Sequence, residues 1–278
     1  MPRVLITGIT GFLGKELKEY LFSYEITGIS RSSEISIDLT DRSQVDLFFK
    51  CNSFFDYVIH TSVAGGKRGV YDDYDVLLKN LLMFDNIISN KRHFGKMFNF
   101  CSGAAFGRSN NVVQEKEENI GKYWPTDYYG LSKNIIARKI KQLNYVYNLR
   151  LFGCFGRHEG FSRFIGSYIR QIKYGERPVI HQDKQMDFIS AQDVSKIIEY
   201  YIENQDQDLP RDINLVYPEK LRILDIAKKI ERITGSGILS LIQNPGMGNT
   251  YTGDGSKLQL LGIELDGLTK GIEDYVIK

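Results

Sequence analysis

The first half of the chain alternates short apolar runs with longer amphipathic stretches. The apolar runs cover residues 3–7, 25–30, 56–61, 96–102 and 145–152, and each has the length and composition of a buried strand. Between them, residues 12–23, 42–50, 74–92 and 127–144 place apolar side chains three and four apart. In the third of these, Val76, Leu77, Leu81, Phe84, Ile87 and Ile88 share one helical face with Asn80. Strand and helix taking turns in this way predict βαβ units and a doubly wound parallel sheet of the α/β class. Right-handed crossovers then bring ligands to the carboxyl ends of the strands, near the point where strand order reverses. After residue 153 the rhythm changes. An amphipathic stretch at 161–174 is followed by strand-like 178–181, by 187–190 leading into a helix at 191–204, by a strand at 212–216, a helix at 223–234, strand-like 238–241 and terminal helical pieces.

The composition narrows this picture by exclusion. At 278 residues with 42% hydrophobic and 25% charged side chains, the chain is an ordinary globular protein. Its 36 basic and 34 acidic side chains leave a net charge of +2 with no long run of one sign, which argues against nucleic-acid binding. Cys51, Cys101 and Cys154 are far apart and form no CxxC pair, so neither a disulfide framework nor a zinc site is expected, and a reducing compartment fits. The four histidines, His60, His93, His158 and His181, have no short paired spacing with carboxylates, so no metal is expected. The sequence starts directly in a strand-like run and has no apolar stretch of about 18 residues, so a cytoplasmic protein without membrane partners is expected.

Chemistry enters at the first strand-to-helix junction, Thr7-Gly8-Ile9-Thr10-Gly11-Phe12-Leu13-Gly14. Glycines three apart let the backbone turn sharply and approach a pyrophosphate, while the new helix offers free N–H groups to the anion. The spacing is GxxGxxG, and its position makes this a dinucleotide cradle in a Rossmann-type sheet. The second strand ends in Ser30-Arg31-Ser32-Ser33, with no carboxylate before Glu34. An acid there would hold the ribose of NAD, whereas an arginine accommodates the 2′-phosphate of NADP, so NADP(H) is favoured over NAD(H).

Tyr129 and Lys133 lie four apart at the start of a predicted helix and so share one face. A lysine ammonium beside a phenol stabilises phenolate and can hold a nicotinamide ribose, which makes the tyrosine usable for proton transfer. Of 17 tyrosines, Tyr129 alone has a lysine at that spacing. Ser102 ends the strand at 96–102, at a carboxyl edge of the sheet, where a hydroxyl can polarise a ketone receiving hydride.

With these residues in view, the chain resembles an extended short-chain dehydrogenase/reductase, the superfamily of nucleotide-sugar epimerases, dehydratases and 4-keto reductases. The resemblance covers essentially the whole chain. It is carried by Gly8, Gly11 and Gly14, by Asp38-Leu39, by Tyr57-Val58-Ile59-His60-Thr61-Ser62, by Asn80, by Ser102 with Phe106-Gly107, by Tyr129-Gly130-Leu131-Ser132-Lys133, and by Arg150-Leu151-Phe152-Gly153-Cys154-Phe155-Gly156. It implies Ser102, Tyr129 and Lys133 as catalytic residues. It implies a cofactor site made of Gly8, Thr10, Gly11, Phe12, Leu13, Gly14, Ser30, Arg31, Asp38, Leu39, His60, Thr61, Ser62 and Asn80 together with Tyr129 and Lys133. Ala64, Gly103, Arg157, His158 and Arg163 are candidate substrate residues, with His158 a candidate auxiliary acid. It further implies a cofactor domain of residues 1–152 with parts of 187–217, a smaller interwoven substrate lobe of 153–186 and 218–278, and a homodimer formed through helices 74–92 and 127–144, with Leu77, Leu78, Leu81 and Ile135 as contacts.

The sequence also departs from the family. Gly153 replaces an asparagine, and Met186 an arginine, that bind substrate phosphates in many relatives; Arg157, His158, Arg163 or Lys184 are candidate substitutes. The compact 31–38 segment is most similar to the 4-keto reductase branch, such as dTDP-4-dehydrorhamnose reductase and GDP-fucose synthase. Ala104 stands where the latter has a cysteine used for epimerisation. The expectation is therefore NADPH-dependent reduction of a nucleotide-linked 4-keto-6-deoxy sugar. An NAD-dependent 4-epimerase and a non-catalytic NADP sensor or scaffold remain as alternatives.

Overall fold

The computed structural model describes residues 1–67, 69–160 and 162–277. In chain order its first half comprises β1 (Arg3–Thr7), α1 (Phe12–Tyr20), β2 (Glu25–Ser30), β3 (Ile35–Ser36), α2 (Arg42–Cys51), β4 (Phe55–His60), α3 (Tyr74–Ile88), β5 (Phe94–Ser102), β6 (Val112–Glu115), α4 (Tyr128–Ile140) and β7 (Val146–Leu151). The second half adds β8 (Cys154–Phe155), α5 (Phe164–Lys173), β9 (Val179–Asp183), β10 (Ile189–Ser190), α6 (Ala191–Glu203), β11 (Asp212–Leu215), α7 (Ile223–Thr234), β12 (Leu241–Met247), β13 (Tyr251–Gly253), α8 (Ser256–Leu260) and α9 (Gly267–Ile277).

Among the described residues, seven parallel strands form one sheet in the order β11-β7-β5-β4-β1-β2-β3. This is the doubly wound, Rossmann-type α/β fold the alternation predicts. Strand order reverses between β1 and β4, where Thr7 pairs with His60. That is where a doubly wound sheet opens a ligand crevice. Both faces are covered by helices, so the strands read as nearly continuous apolar runs. On one face Val4, Ile6, Ile59, Phe98 and Leu149 pack with α6 residues Val194, Ile197 and Ile198. On the other, Leu5, Val58, Met97 and Val146 meet Phe48, Phe84, Ile87 and Ile136 from α2, α3 and α4. Each such side chain contributes roughly 1.5–3 kcal/mol by leaving water.

A third apolar cluster, centred on Ile165, Ile169, Ile226, Ile230 and Ile272, joins α5, α7 and α9 beside the sheet. Two short parallel ladders, β9 with β12 and β6 with β13, belong to this outer part. The sequence pattern did not predict β6 or β13, and β12 lies beyond most of the expected 238–241 stretch. The reason is physical: β12 is exposed along its whole length and contains Pro245-Gly246, so it forms by pairing with β9 and carries no alternation. Phe161, where a helix was expected to begin, lies outside the described residues; α5 starts at Phe164.

One buried polar network crosses the sheet edge. Arg150 is fully buried, donates to Asp212 at 2.8 Å and Asn214 at 3.0 Å, and lies 4.9 Å over the Phe106 ring. The arginine of the Arg-Leu-Phe-Gly run therefore serves the scaffold under the site.

Candidate active site

The glycine turn builds the first half of the site. Gly8 follows β1 with φ of +70°, and a Cβ there would come within 2.9 Å of the Ser62 backbone nitrogen, so the residue must be glycine on two counts. Gly11 N–H closes the turn onto the Gly8 carbonyl at 2.8 Å, and a Cβ on Gly14 would overlap that same oxygen. Phe12 then opens α1, and Gly11 at the N-cap supplies no side-chain acceptor. The first N–H groups of α1 are left for an anion, at the end of the helix where the dipole favours one. The residues fit a dinucleotide pyrophosphate: the glycines let the turn pack at backbone contact, and Gly11 at the N-cap carries no side chain over the free N–H groups that open α1.

Around it, the end of β4 is fixed by hydroxyls. Thr61 Oγ1 donates to the Thr7 carbonyl at 2.7 Å, and His60 Nδ1 lies 2.8 Å from Thr7 Oγ1. Burial drives the His60 pKa down to about 3, and the Lys133 charge pushes the same way, so the imidazole is neutral. At the end of β2, Thr10 Oγ1 touches Ser30 Oγ at 3.0 Å and Ser32 Oγ at 2.9 Å, next to the exposed Arg31. The Asp38 carboxylate accepts from Thr40 N–H at 2.9 Å and Thr40 Oγ1 at 2.8 Å, and these bonds hold its pKa below the usual range. Leu39 is buried behind it. Asn80 ties the two halves together: its amide accepts from Ala64 N–H at 2.8 Å and donates to Ser132 Oγ at 3.0 Å on α4.

The second half assembles where β5 meets α4. Ser102 ends β5, and its Oγ accepts the Ala104 N–H at 3.2 Å in the tight turn that follows. Asp127 caps α4 by accepting the Gly130 N–H at 2.8 Å. A Cβ on Gly130 would lie 2.6 Å from the Ala104 carbonyl, so the helix sits directly on that turn and brings Tyr129 to Ser102. Lys133 is buried, donates to the Phe100 carbonyl at 2.9 Å and has its Nζ 5.9 Å from the centre of the Tyr129 ring. Desolvation lowers the Lys133 pKa. Desolvation also raises that of Tyr129, opposed by the Ser102 hydroxyl and by the charges of Arg163 and Arg108. The structure thus brings Ser102, Tyr129 and Lys133 into one cluster beside the glycine cradle.

Other candidates are distributed less tightly. Ala64 and Gly103 border the cluster through Asn80 and Ser102. His158 does not join it, because its backbone N–H donates to Glu16 at 2.7 Å and its Nε2 lies 2.6 Å from Glu19, on the outer side of α1. Arg157 is exposed beside Tyr20 on the same side. Arg163 lies between the two halves, with its guanidinium 5.0 Å over the Phe12 ring and its charge felt at Tyr129. At Gly153, a Cβ would lie 2.7 Å from the Asp187 carbonyl, so the space an asparagine would need is filled by the Asp187–Phe188 segment before β10. Met186 bridges to Tyr251 in β13, and Asp187 is engaged by Lys220 at 2.8 Å.

Three participants escaped the sequence. Tyr251 is buried, and its hydroxyl lies 3.5 Å from Ser102 Oγ, although 149 positions separate them. Gly66, with φ of +72°, lies against the phenol, where a Cβ would come within 2.8 Å of the Tyr129 ring. Arg108 places its guanidinium 5.6 Å over the same ring. Only Arg108 had a local signal, standing directly after Phe106-Gly107.

Among curated protein sequences none matches the chain. Solved structures do. A GDP-mannoheptose C4 reductase from Campylobacter jejuni with NADP bound superposes with a TM-score of 0.81 at 20% identity, over 99% of this chain and 96% of that one. The Bordetella bronchiseptica enzyme WbmG, in complex with NAD and UDP, gives 0.80 at 20% identity over 99% and 92%. A UDP-glucose 4-epimerase from Thermotoga maritima gives 0.78 at 18% identity over 99% and 97%. At these identities the likeness establishes the shared fold. A sequence profile described as the NAD dependent epimerase/dehydratase family matches residues 4–215, and with that match the chain belongs to this family of extended short-chain dehydrogenases/reductases.

Proposed function

We propose that the protein reduces the C4 ketone of a nucleotide-linked 4-keto-6-deoxy sugar, using NADPH. The observation that carries this reading is the meeting of Ser102, Tyr129 and Lys133 at the carboxyl edge of the sheet beside the cradle of Gly8, Gly11 and Gly14. Held by the cradle of Gly8, Gly11 and Gly14, a dihydronicotinamide cofactor would supply hydride for the ketone carbon. Tyr129 delivers a proton to the ketone oxygen, Ser102 donates a hydrogen bond to that oxygen, and the Lys133 ammonium favours the phenolate left behind. Residues 1–152 with parts of 187–217 hold the cofactor in this reading, and 153–186 with 218–278 hold the sugar nucleotide.

The NADP preference is supported by Arg31 and the hydroxyls of Thr10, Ser30 and Ser32 at the end of β2, a run with no acidic residue before Glu34. An NAD-dependent 4-epimerase would use the same three catalytic residues, and two of the similar structures carry NAD or an epimerase description. The hydroxyl-and-arginine composition around Arg31 favours the reductase. The homodimer belongs to the same proposal: along α3, Tyr74, Leu78 and Leu82 are exposed, whereas Leu77 is buried in its own core.

The test is to follow NADPH and NADH absorbance with GDP-, dTDP-, UDP- and CDP-linked 4-keto-6-deoxy sugars, with Tyr129→Phe as control. Stoichiometric loss of NADPH that the substitution abolishes supports the reductase and names its nucleotide. Protein that purifies with NAD(H) bound and consumes none points to the epimerase.

A further inference from the structure

The phenol of Tyr129 has a second cation that the family resemblance does not supply. Arg108 follows the turn after β5, and its guanidinium carbon is 5.6 Å from the centre of the Tyr129 ring, slightly nearer than the 5.9 Å of Lys133 Nζ. One guanidinium nitrogen, Nη2, donates at 3.0 Å to Asp72 and at 3.0 Å to Asp127. Asp127 is the cap of α4, the helix that carries Tyr129, and Asp72 has only 2% of its side chain exposed. The other Asp72 oxygen accepts the Gly66 N–H at 2.9 Å, and Gly66 is the residue whose backbone presses on the Tyr129 ring. Arg108 thus joins the segment carrying Gly66 and Asp72, the turn after Ser102 and the first turn of α4, and every one of these borders the same phenol.

We propose that Arg108 is a positioning residue for the catalytic tyrosine, pinning the Tyr129 ring between Gly66 and α4 and adding a second positive charge that favours its ionised form. The inference rests on the assignment of Tyr129 as the proton donor. Arg108 is poorly suited to hold a substrate phosphate, because two carboxylates already claim one of its nitrogens and the three groups together carry a net negative charge. Its charge acts locally on the ring, where burial works against ionisation and the cation works for it. The other groups facing the phenol are Lys133 from α4, Ser102 and Cys101 from β5, Arg163 from the segment before α5, and Tyr251 from β13. Arg163 pushes in the same direction as Arg108, and a charged Lys133 at 5.9 Å does so by simple Coulomb attraction. Cys101 pushes in the opposite one, as do the carboxylates of Asp72 and Asp127, whose charge at the phenol Arg108 offsets, and Tyr251 in its neutral form adds no charge.

The experiment places a ring-fluorinated tyrosine at position 129 alone and follows its ionisation by fluorine NMR across pH, so that no substrate is needed. Arg108→Gln moves the midpoint to higher pH, and Arg108→Lys, which keeps a charge, leaves it near the parent. Because Arg108→Gln leaves the buried Asp72 without its cation, the double variant Asp72→Asn with Arg108→Gln is measured as well. It restores a neutral pair and, measured against Asp72→Asn alone so that the lost carboxylate charge is common to both, shows the same upward move. NADPH affinity and the melting temperature report whether each variant is folded. With a substrate in hand, Arg108→Gln lowers kcat about 3- to 10-fold with KM within about twofold, and the alkaline limb of the reverse reaction moves upward. A midpoint in the folded double variant that is unmoved from that of Asp72→Asn alone overturns the proposal, even if the enzyme reduces a ketone. A midpoint that moves while no ketone is reduced keeps Arg108 on the phenol and removes the reductase reading instead.

Discussion

The glycine cradle follows β1 and the Ser102 face follows β5, two strands along the same sheet edge, yet they are built in opposite ways. The cradle is local: Gly8 through Gly14 are contiguous, and Gly8 and Gly14 are required by Ser62 and by a backbone atom of the same turn, with Gly11 in tight contact with that turn. The Ser102 face is composite, drawing Tyr129 from α4, Arg108 from a turn, Gly66 from the segment after β4 and Tyr251 from β13. The first tolerates no added atom, while the second depends on side chains held by neighbours that are themselves held. Steric rules protect one region, and a chain of hydrogen bonds and charges protects the other.

Substitutions can sharpen this contrast. The largest effect is expected at Tyr129→Phe, which removes the proposed proton donor and retains the ring: turnover should fall about 100- to 10,000-fold with NADPH affinity unchanged. Titrating NADPH by fluorescence alongside the rate assay separates the two quantities. Gly14→Ala should do the reverse. Its Cβ overlaps the Gly8 carbonyl, so about 2–4 kcal/mol of stability and most NADPH binding should be lost, which calorimetry and the same titration would register. A Gly14→Ala protein that binds NADPH normally would end the steric account of the cradle.

His60 belongs to the cradle side and adds a pH dependence. Its pKa is near 3 when folded against about 6.5 unfolded, so the unfolded chain binds the extra proton first. The stabilisation is complete above about pH 6.5 and is lost as pH falls toward 3. Urea unfolding at stepped pH should show this acid weakening, and His60→Asn should flatten it. On the composite side, restoring the asparagine found in relatives through Gly153→Asn should cost about 1–3 kcal/mol, because the Asp187 carbonyl occupies its space; an unchanged melting temperature would mean the neighbouring segment yields. The smallest effect is expected at Arg31→Ala, which should lower the preference for NADPH over NADH about tenfold and leave stability alone.

The same contrast explains what was legible in the sequence. Strand and helix periodicity gave the central sheet, because strands buried on both faces must be apolar throughout. The glycine turn and the Tyr129–Lys133 spacing could be read because each is set by a handful of adjacent residues. Tyr251 could not, since β13 is three residues long and its position comes from pairing with Val112 and bridging Met186. His158 shows the converse: a loop histidine close to the expected site is turned away by Glu16 and Glu19, partners more than a hundred positions earlier. Position in a loop says where the backbone goes and leaves the side chain's partner undetermined.

The pairing of β13 with β6 also sets an order of events while the chain folds. Gln114 N–H donates to Thr252 Oγ1 across 138 positions, and closing so long a loop is slow compared with forming β1, α1 and their turn. The site therefore acquires its nucleotide cradle early, and Tyr251 settles over Ser102 only after the last part of the chain has docked. During refolding, or as the chain leaves the ribosome, the capacity to hold a dinucleotide should precede the capacity to act on a second molecule.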